Sequence, residues 1–345
     1  MDVNEILQCD YLTIEERCML FSKYLREKEC YVEEEASSYI RTIYDNFNDA
    51  DAKKLINVLL GSYAYIILNV DDKNIKPSDD SINSYNEILD NCIKLSLDLG
   101  LNNALEMSIM FTYLLWNGYL SKDNEFFFNV SDRLSLHGHY AFDIMNGVGV
   151  CLNNAVMLTD LLNRNNVQAA TLLNKCNMNI KKDYKVEHIE RNKSKESKKN
   201  LLIQLLAYPL INFISRFSGN HAYTLIRDEK RLYIYDPTNI CLFNINSENK
   251  ADILCGSGST IMKPKLSTIV ADYNQYKLIN ELHNEELFIG YKEEEFKQIL
   301  EETINTCYNN MELLNGFRSQ IEGSINNISN ELNLIRQRKK EEKLR

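Results

Sequence analysis

Residues 147–172 read Gly147-Val148-Gly149-Val150-Cys151-Leu152-Asn153-Asn154-Ala155, continue through Val156, Leu158, Leu161 and Leu162, pass Asn165-Asn166, and end in Val167-Gln168-Ala169-Ala170-Thr171-Leu172. The apolar residues after Cys151 fall at helical spacing, Asn165-Asn166 offers a C-terminal stop, and the last six residues have the β-branched, alternating texture of a strand. A glycine-containing turn therefore delivers a cysteine to the first turn of a helix that is followed at once by a strand. Helix and strand alternate in this way from about residue 137 to 280, which defines an α+β core. A helix start suits a reactive cysteine. The positive end of the helix dipole and the unpaired N–H groups of the first turn favour thiolate over thiol, and the thiolate is the nucleophile. The same N–H groups can hold an oxyanion formed at an attacked carbonyl.

The next informative stretch is His221-Ala222-Tyr223-Thr224-Leu225-Ile226-Arg227, then Asp228-Glu229, then Lys230-Arg231-Leu232-Tyr233-Ile234-Tyr235-Asp236-Pro237-Thr238. Two strand-like runs flank a polar turn, so a hairpin is expected. With Asp228-Glu229 as a two-residue loop, Leu225 faces Leu232, Tyr223 faces Ile234 and His221 faces Asp236. Directly opposed residues share a face, so one apolar face ends in a His–Asp pair. A carboxylate beside an imidazole fixes the tautomer of a base, and Cys151, His221 and Asp236 become the candidate nucleophile, base and orienting acid.

These residues carry a resemblance. Gly-Val-Cys opening a helix, His221-Ala222 opening a strand, and Tyr235-Asp236-Pro237-Thr238 closing the next resemble the transglutaminase-like branch of the papain-like superfamily over roughly residues 137–280. The resemblance implies a helix bearing the Cys packed on an antiparallel sheet, with His and Asp on adjacent strands. It implies the roles already assigned to Cys151, His221 and Asp236. The chain departs from the family in carrying Val150 where an aromatic residue often precedes the Cys, and in a longer Cys-to-His spacing. Further candidates for substrate and oxyanion contact are His139, Tyr140 and Leu152. His137 and His139, without a cysteine pair or carboxylate beside them, are poor metal ligands, and no metal or cofactor is expected.

Outward from this core, residues 1–135 read as an α-helical region. Leu55, Val58, Leu59, Tyr63, Ile66 and Ile67 recur at helical spacing, Asp71–Asn83 with Pro77 reads as a loop, and Ser84–Trp116 reads as a proline-free helical run. The core spans 136–285. Residues 286–345 read as a long helix or coiled coil, because Ile304, Cys307, Met311, Leu314, Ile321, Ile325, Ile328, Leu332 and Ile335 follow alternating three- and four-residue steps that only Arg318 breaks. That seam (304–335) suits either packing on the chain's own helices or a homo-oligomer. An insert at 174–219 includes Lys181–Lys199, with eight Lys/Arg against four Asp/Glu, and the broken apolar run Leu201–Phe217. The insert is a candidate lid, and contact of 181–217 with a membrane surface is the weaker alternative.

A net charge of −10 and a pI near 5.2 argue against nucleic acid as the main partner. Nine scattered cysteines with no C-x-x-C pair fit a reducing compartment, and the amino-terminal residues lack a secretory pattern, so a cytoplasmic address is expected. The expected activity is that of a thiol hydrolase or acyltransferase on peptide or side-chain amides, with protease or deamidase chemistry favoured over transglutamination and a protein or peptide as substrate. The alternatives are a catalytically inactive scaffold assembling through its coiled coil, and a secreted effector using the same triad.

Overall fold

The computed structural model describes residues 77–128, 140–180, 186–189, 192–193, 219–228, 231–245, 251–255, 260–270 and 289–343. The helical spacing over Leu55–Ile67, residues 137 and 139, and the apolar run Leu201–Phe217 lie outside them.

The first described helix, α1 (Asp79–Asp98), begins inside the stretch expected to be a loop. Ser78 supplies the reason: its hydroxyl accepts from the Ser81 N–H, and Asp79 and Asp80 place negative charge at the positive end of the helix. The expected run from Ser84 to Trp116 is in fact two helices. Gly100, with φ +72°, ends α1, and the Leu101 N–H reaches Ser96 O at 2.9 Å while Gly100 N–H reaches Leu97 O at 3.0 Å. Only a residue free to take positive φ closes a helix in this way. Asn103 then caps α2 (Ala104–Trp116) in a reciprocal capping box with Glu106. Every residue of α2 except Glu106 is buried, so this helix is the centre of the helical layer.

After β1 (Phe127–Phe128), a 3-10 helix (Tyr140–Asn146) and β2 (Val148–Gly149), the helix α3 (Cys151–Arg164) follows. Its stop is where the sequence placed it: Asn166 takes φ +60° and the Val167 N–H returns to Leu162 O at 2.9 Å. The strands β3 (Gln168–Ile180), β5 (Gly219–Asp228), β6 (Arg231–Asp236), β7 (Cys241–Ile245), β8 (Ala251–Cys255) and β9 (Thr260–Val270) form one six-stranded antiparallel sheet in the order β8-β7-β6-β5-β3-β9. A second, three-stranded parallel sheet in the order β2-β1-β4 takes in β4 (Asn192–Lys193). The fold is α+β. Of the expected insert, residues 174–180 continue β3, Gly219 opens β5, and Asn192–Lys193 joins the small sheet beside β1.

The helix α3 packs on β3 and β5. Thr224 donates from its hydroxyl to Ala155 O at 3.2 Å, and its cross-strand partner Thr171 donates to the Thr159 hydroxyl at 2.8 Å. Ala222, Thr224 and Ile226 therefore face the helices, and alternation puts His221, Tyr223 and Leu225 on the other face of β5. At the carboxyl end, α4 (Glu293–Asn309) packs on α2, while α5 (Met311–Lys343) runs along α1 and the 3-10 helix. A break at Asn310 separates α4 from α5, so the expected single helix is two. Of the seam, Ile304, Cys307, Leu314, Ile321, Ile325, Ile328, Leu332 and Ile335 are buried in the same cluster as Tyr85, Leu89 and Phe142. Met311 is the exception, at 42% exposure. The seam that suited a homo-oligomer is thus covered by the chain's own helices. Arg318, which breaks the series, leaves the buried position to Phe317 and instead reaches Asn124 Oδ1 at 2.9 Å and the carbonyls of Ser121 and Lys122 at 3.1 and 3.2 Å.

Candidate active site

Two features hold Cys151 at its helix start. Gly149, two residues earlier, lies under the Phe126 ring, and a Cβ there would stand 3.2 Å from that ring and 3.3 Å from Asn153 Cβ. Asn153, in the third helical position, accepts the Val150 N–H through Oδ1 at 2.8 Å and donates from Nδ2 to the Tyr140 carbonyl. Val150 itself is extended, and the first intrahelical bond is Asn154 N–H to Val150 O at 3.2 Å. The N–H groups of Cys151 and Leu152 precede it and belong to the open first turn. Cys151 is half-buried against a small cluster made of Tyr140, Val150, Leu152, Ala155 and Ala222.

The hairpin closes between Asp228 and Arg231, one residue later on each strand than expected. Leu225 lies opposite Ile234 and Thr224 opposite Tyr235, so the expected pairing of His221 directly opposite Asp236 is corrected. Tertiary partners account for the shift. Asp228 Oδ2 accepts the Ala104 N–H at 3.3 Å at the start of α2, and Arg231 binds Glu295 at 2.9 Å and stacks over Tyr291. Because side chains alternate with a period of two, this displacement keeps His221 and Asp236 on one face as diagonal neighbours. The imidazole stands edge-on to Tyr223, with ring centroids 4.7 Å apart. Its Nε2 meets Asp236 Oδ2 at 2.8 Å, both groups buried. That leaves the other ring nitrogen, Nδ1, free of Asp236, and His221 and the Ala222 N–H lie close enough to Cys151 to lower its thiol.

The three groups shift one another. Burial pushes the Cys151 thiol up, but the His221 imidazolium, its hydrogen bond and the Ala222 N–H outweigh it, so the thiol falls below its ordinary value. Burial pulls His221 down, yet Asp236 and Cys151 hold it well above the ordinary imidazole value. Burial raises Asp236, and His221, Asn239 and the Thr238 N–H bring it below the usual carboxylate range. All three directions favour the charged forms, a thiolate and an imidazolium beside a carboxylate.

Of the residues singled out in the sequence, Cys151, His221 and Asp236 come together. Tyr140 and Leu152 pack beside Cys151, and His139 is outside the described residues. His188 is exposed and stacks on Tyr308, with centroids 3.7 Å apart, away from Cys151's cluster. Among the described residues no three His, Cys, Asp or Glu side chains converge on a metal position, and no helix is long and apolar enough to cross a membrane. Two residues matter beyond their expected part. Asn154, quoted in the sequence without a role, donates from Nδ2 to Thr238 Oγ1 at 3.1 Å and so ties α3 to that turn, and Asn239, not singled out, donates to Asp236. A polar residue directly after Asp236-Pro237-Thr238 was the available signal. Comparison with family models, with curated proteins and with solved structures returns no match.

Proposed function

We propose that this chain is a thiol hydrolase or acyltransferase of papain-like, transglutaminase-like architecture, acting on peptide or side-chain amides through a Cys151 thioester. The observation that carries the reading is the buried Asp236–His221 pair, 2.8 Å apart, beside a half-buried thiol at a helix start, a setting that draws Cys151 down and His221 up. A merely structural cysteine at this place has no need of a charged imidazole.

The Cys151 thiolate attacks the carbonyl carbon, a C–S bond forms, and the carbonyl π pair moves to oxygen. First-turn N–H groups of α3 stabilise that oxyanion. As the C–N bond breaks, the amine leaves with the proton that His221 Nδ1 carries. Water, losing a proton to the now neutral His221, then attacks the thioester; the C–S bond breaks, and acid and thiolate are released. An amine in place of water gives transfer instead. Water is the favoured acceptor, which makes protease or deamidase activity the first expectation. A protein or peptide supplies the amide. Residues 192–193 stand beside β1, one strand from the strand that delivers Cys151, which suits the insert to act as a lid.

The test is iodoacetamide labelling of the native chain from pH 5 to 9, read per cysteine by mass spectrometry beside His221→Ala, followed by an amide-probe screen. The expected result is fastest labelling at Cys151, below the ordinary thiol range of about 8.5, lost in the variant. Labelling of Cys151 no faster than in His221→Ala overturns the reading in favour of an inactive scaffold.

A further inference from the structure

Asp236 receives four donors on two oxygens. Oδ1 accepts the Thr238 N–H at 2.9 Å and the Asn239 N–H at 3.2 Å. Oδ2 accepts Asn239 Nδ2 at 2.8 Å, and at the same 2.8 Å it meets His221 Nε2. A carboxylate so surrounded has no lone pair directed at a free proton, and it strongly prefers to stay ionised. Asn239 provides two of the four donors, and one of them shares an oxygen with the imidazole.

The turn that carries Asn239 is itself held from two sides. Trp116 Nε1 on α2 donates to Pro237 O at 3.1 Å, and Asn154 Nδ2 on α3 donates to Thr238 Oγ1 at 3.1 Å. Ile240, fully buried with φ +52°, returns the chain to β7, whose Cys241 pairs with Asp236. A side-chain amide on such a turn has little freedom to leave its acceptor.

We infer that Asn239 is a positioning residue for the Cys151–His221 pair: its amide fixes the rotation of the Asp236 carboxylate so that Oδ2 points along the imidazole Nε2–H. The inference rests on the proposed triad. Asn239 touches no reacting atom and acts through Asp236. Without the amide, the carboxylate turns toward its two backbone donors, the imidazolium loses part of its counter-charge, and the thiolate loses part of its partner.

The experiment compares the full chain with Asn239→Ala and Asn239→Asp, following iodoacetamide alkylation of Cys151 from pH 5 to 9 by mass spectrometry, with circular dichroism melts alongside. The expected result for Asn239→Ala is a midpoint raised by about half to one pH unit, which slows alkylation at pH 6 roughly threefold to tenfold. Asn239→Asp keeps size and shape, removes the donor and adds a like charge beside Asp236, so its midpoint rises as far or further. A structural role alone would lower the melting temperature and leave the midpoint in place. If Asn239→Ala does not fold, Asn239→Asp decides by the same midpoint. Folded variants with the midpoint of the parent chain overturn the inference while the triad stands. A parent midpoint no lower than that of His221→Ala overturns the triad and this inference together.

Discussion

Cys151 and Cys307 are both thiols packed among apolar side chains, and their surroundings drive them in opposite directions. In the helical layer, burial pushes Cys307 up to about 12 and carries Cys92 higher still. At the head of α3, burial acts in the same sense on Cys151, but His221 and the Ala222 N–H reverse it. Burial alone therefore raises a thiol, and a buried imidazole with its own carboxylate lowers it. The helical layer needs only apolar packing. The site needs a set of charges that cancel one another out of water.

The sharpest way to break this contrast is His221→Ala, which turns Cys151 into a thiol like Cys307. Amide turnover is expected to fall about 10³-fold or more, and Asp236→Asn to fall within about tenfold of it, because the imidazole then loses its tautomer and its counter-charge. Steady-state assays on a responsive amide probe check both. Ile325→Ala works on the other region. This fully buried seam residue is expected to cost about 2–4 kcal/mol in urea unfolding while the pH midpoint of Cys151 alkylation stays where it was. A shifted midpoint would show that the two regions are coupled.

Gly149→Ala probes the seam between them. Its Cβ would press the Phe126 ring and Asn153, and a loss of about 1–3 kcal/mol is expected in unfolding, together with slower Cys151 alkylation as the head of α3 moves. The smallest effect is expected at Glu331. Burial raises its carboxyl, but the donors of Ser81 and Ser78 hold it below the ordinary value. A carboxyl depressed by folding stabilises above its ordinary range and loses that contribution as pH falls through the folded value. Parent and Glu331→Gln should then differ by roughly 0.5 kcal/mol at neutral pH, kept small by solvent screening, and converge in acid. Unfolding at pH 7 and pH 3 measures it.

The candidate site was legible because its chemistry sits in two short segments, each with its own period. Helical spacing after Cys151 marked a helix start, and strand alternation kept His221 and Asp236 on one face even though the hairpin closes one residue later than the turn residues suggested. The loop expected over Asp71–Asn83 and the unbroken run to Trp116 failed at Ser78 and Gly100, where capping outweighed composition. Asn239 was missed because an asparagine after a Pro-Thr turn reads as turn chemistry. What it donates to depends on a carboxylate that the turn folds back upon.

The order of the chemical groups, the faces they share, the α+β alternation and the apolar seam were determined by the sequence itself, because they follow from local backbone geometry and the two side-chain periods. The tertiary structure alone decided the hairpin register, since Asp228 and Arg231 are held by residues of distant helices. It decided that the seam is covered within the chain, because α1 and the 3-10 helix supply the surface that buries it. It also decided the direction in which the Cys151 thiol shifts. A thiol's ionisation is set by the groups within a few ångströms of its sulfur, and here those groups arrive from another strand.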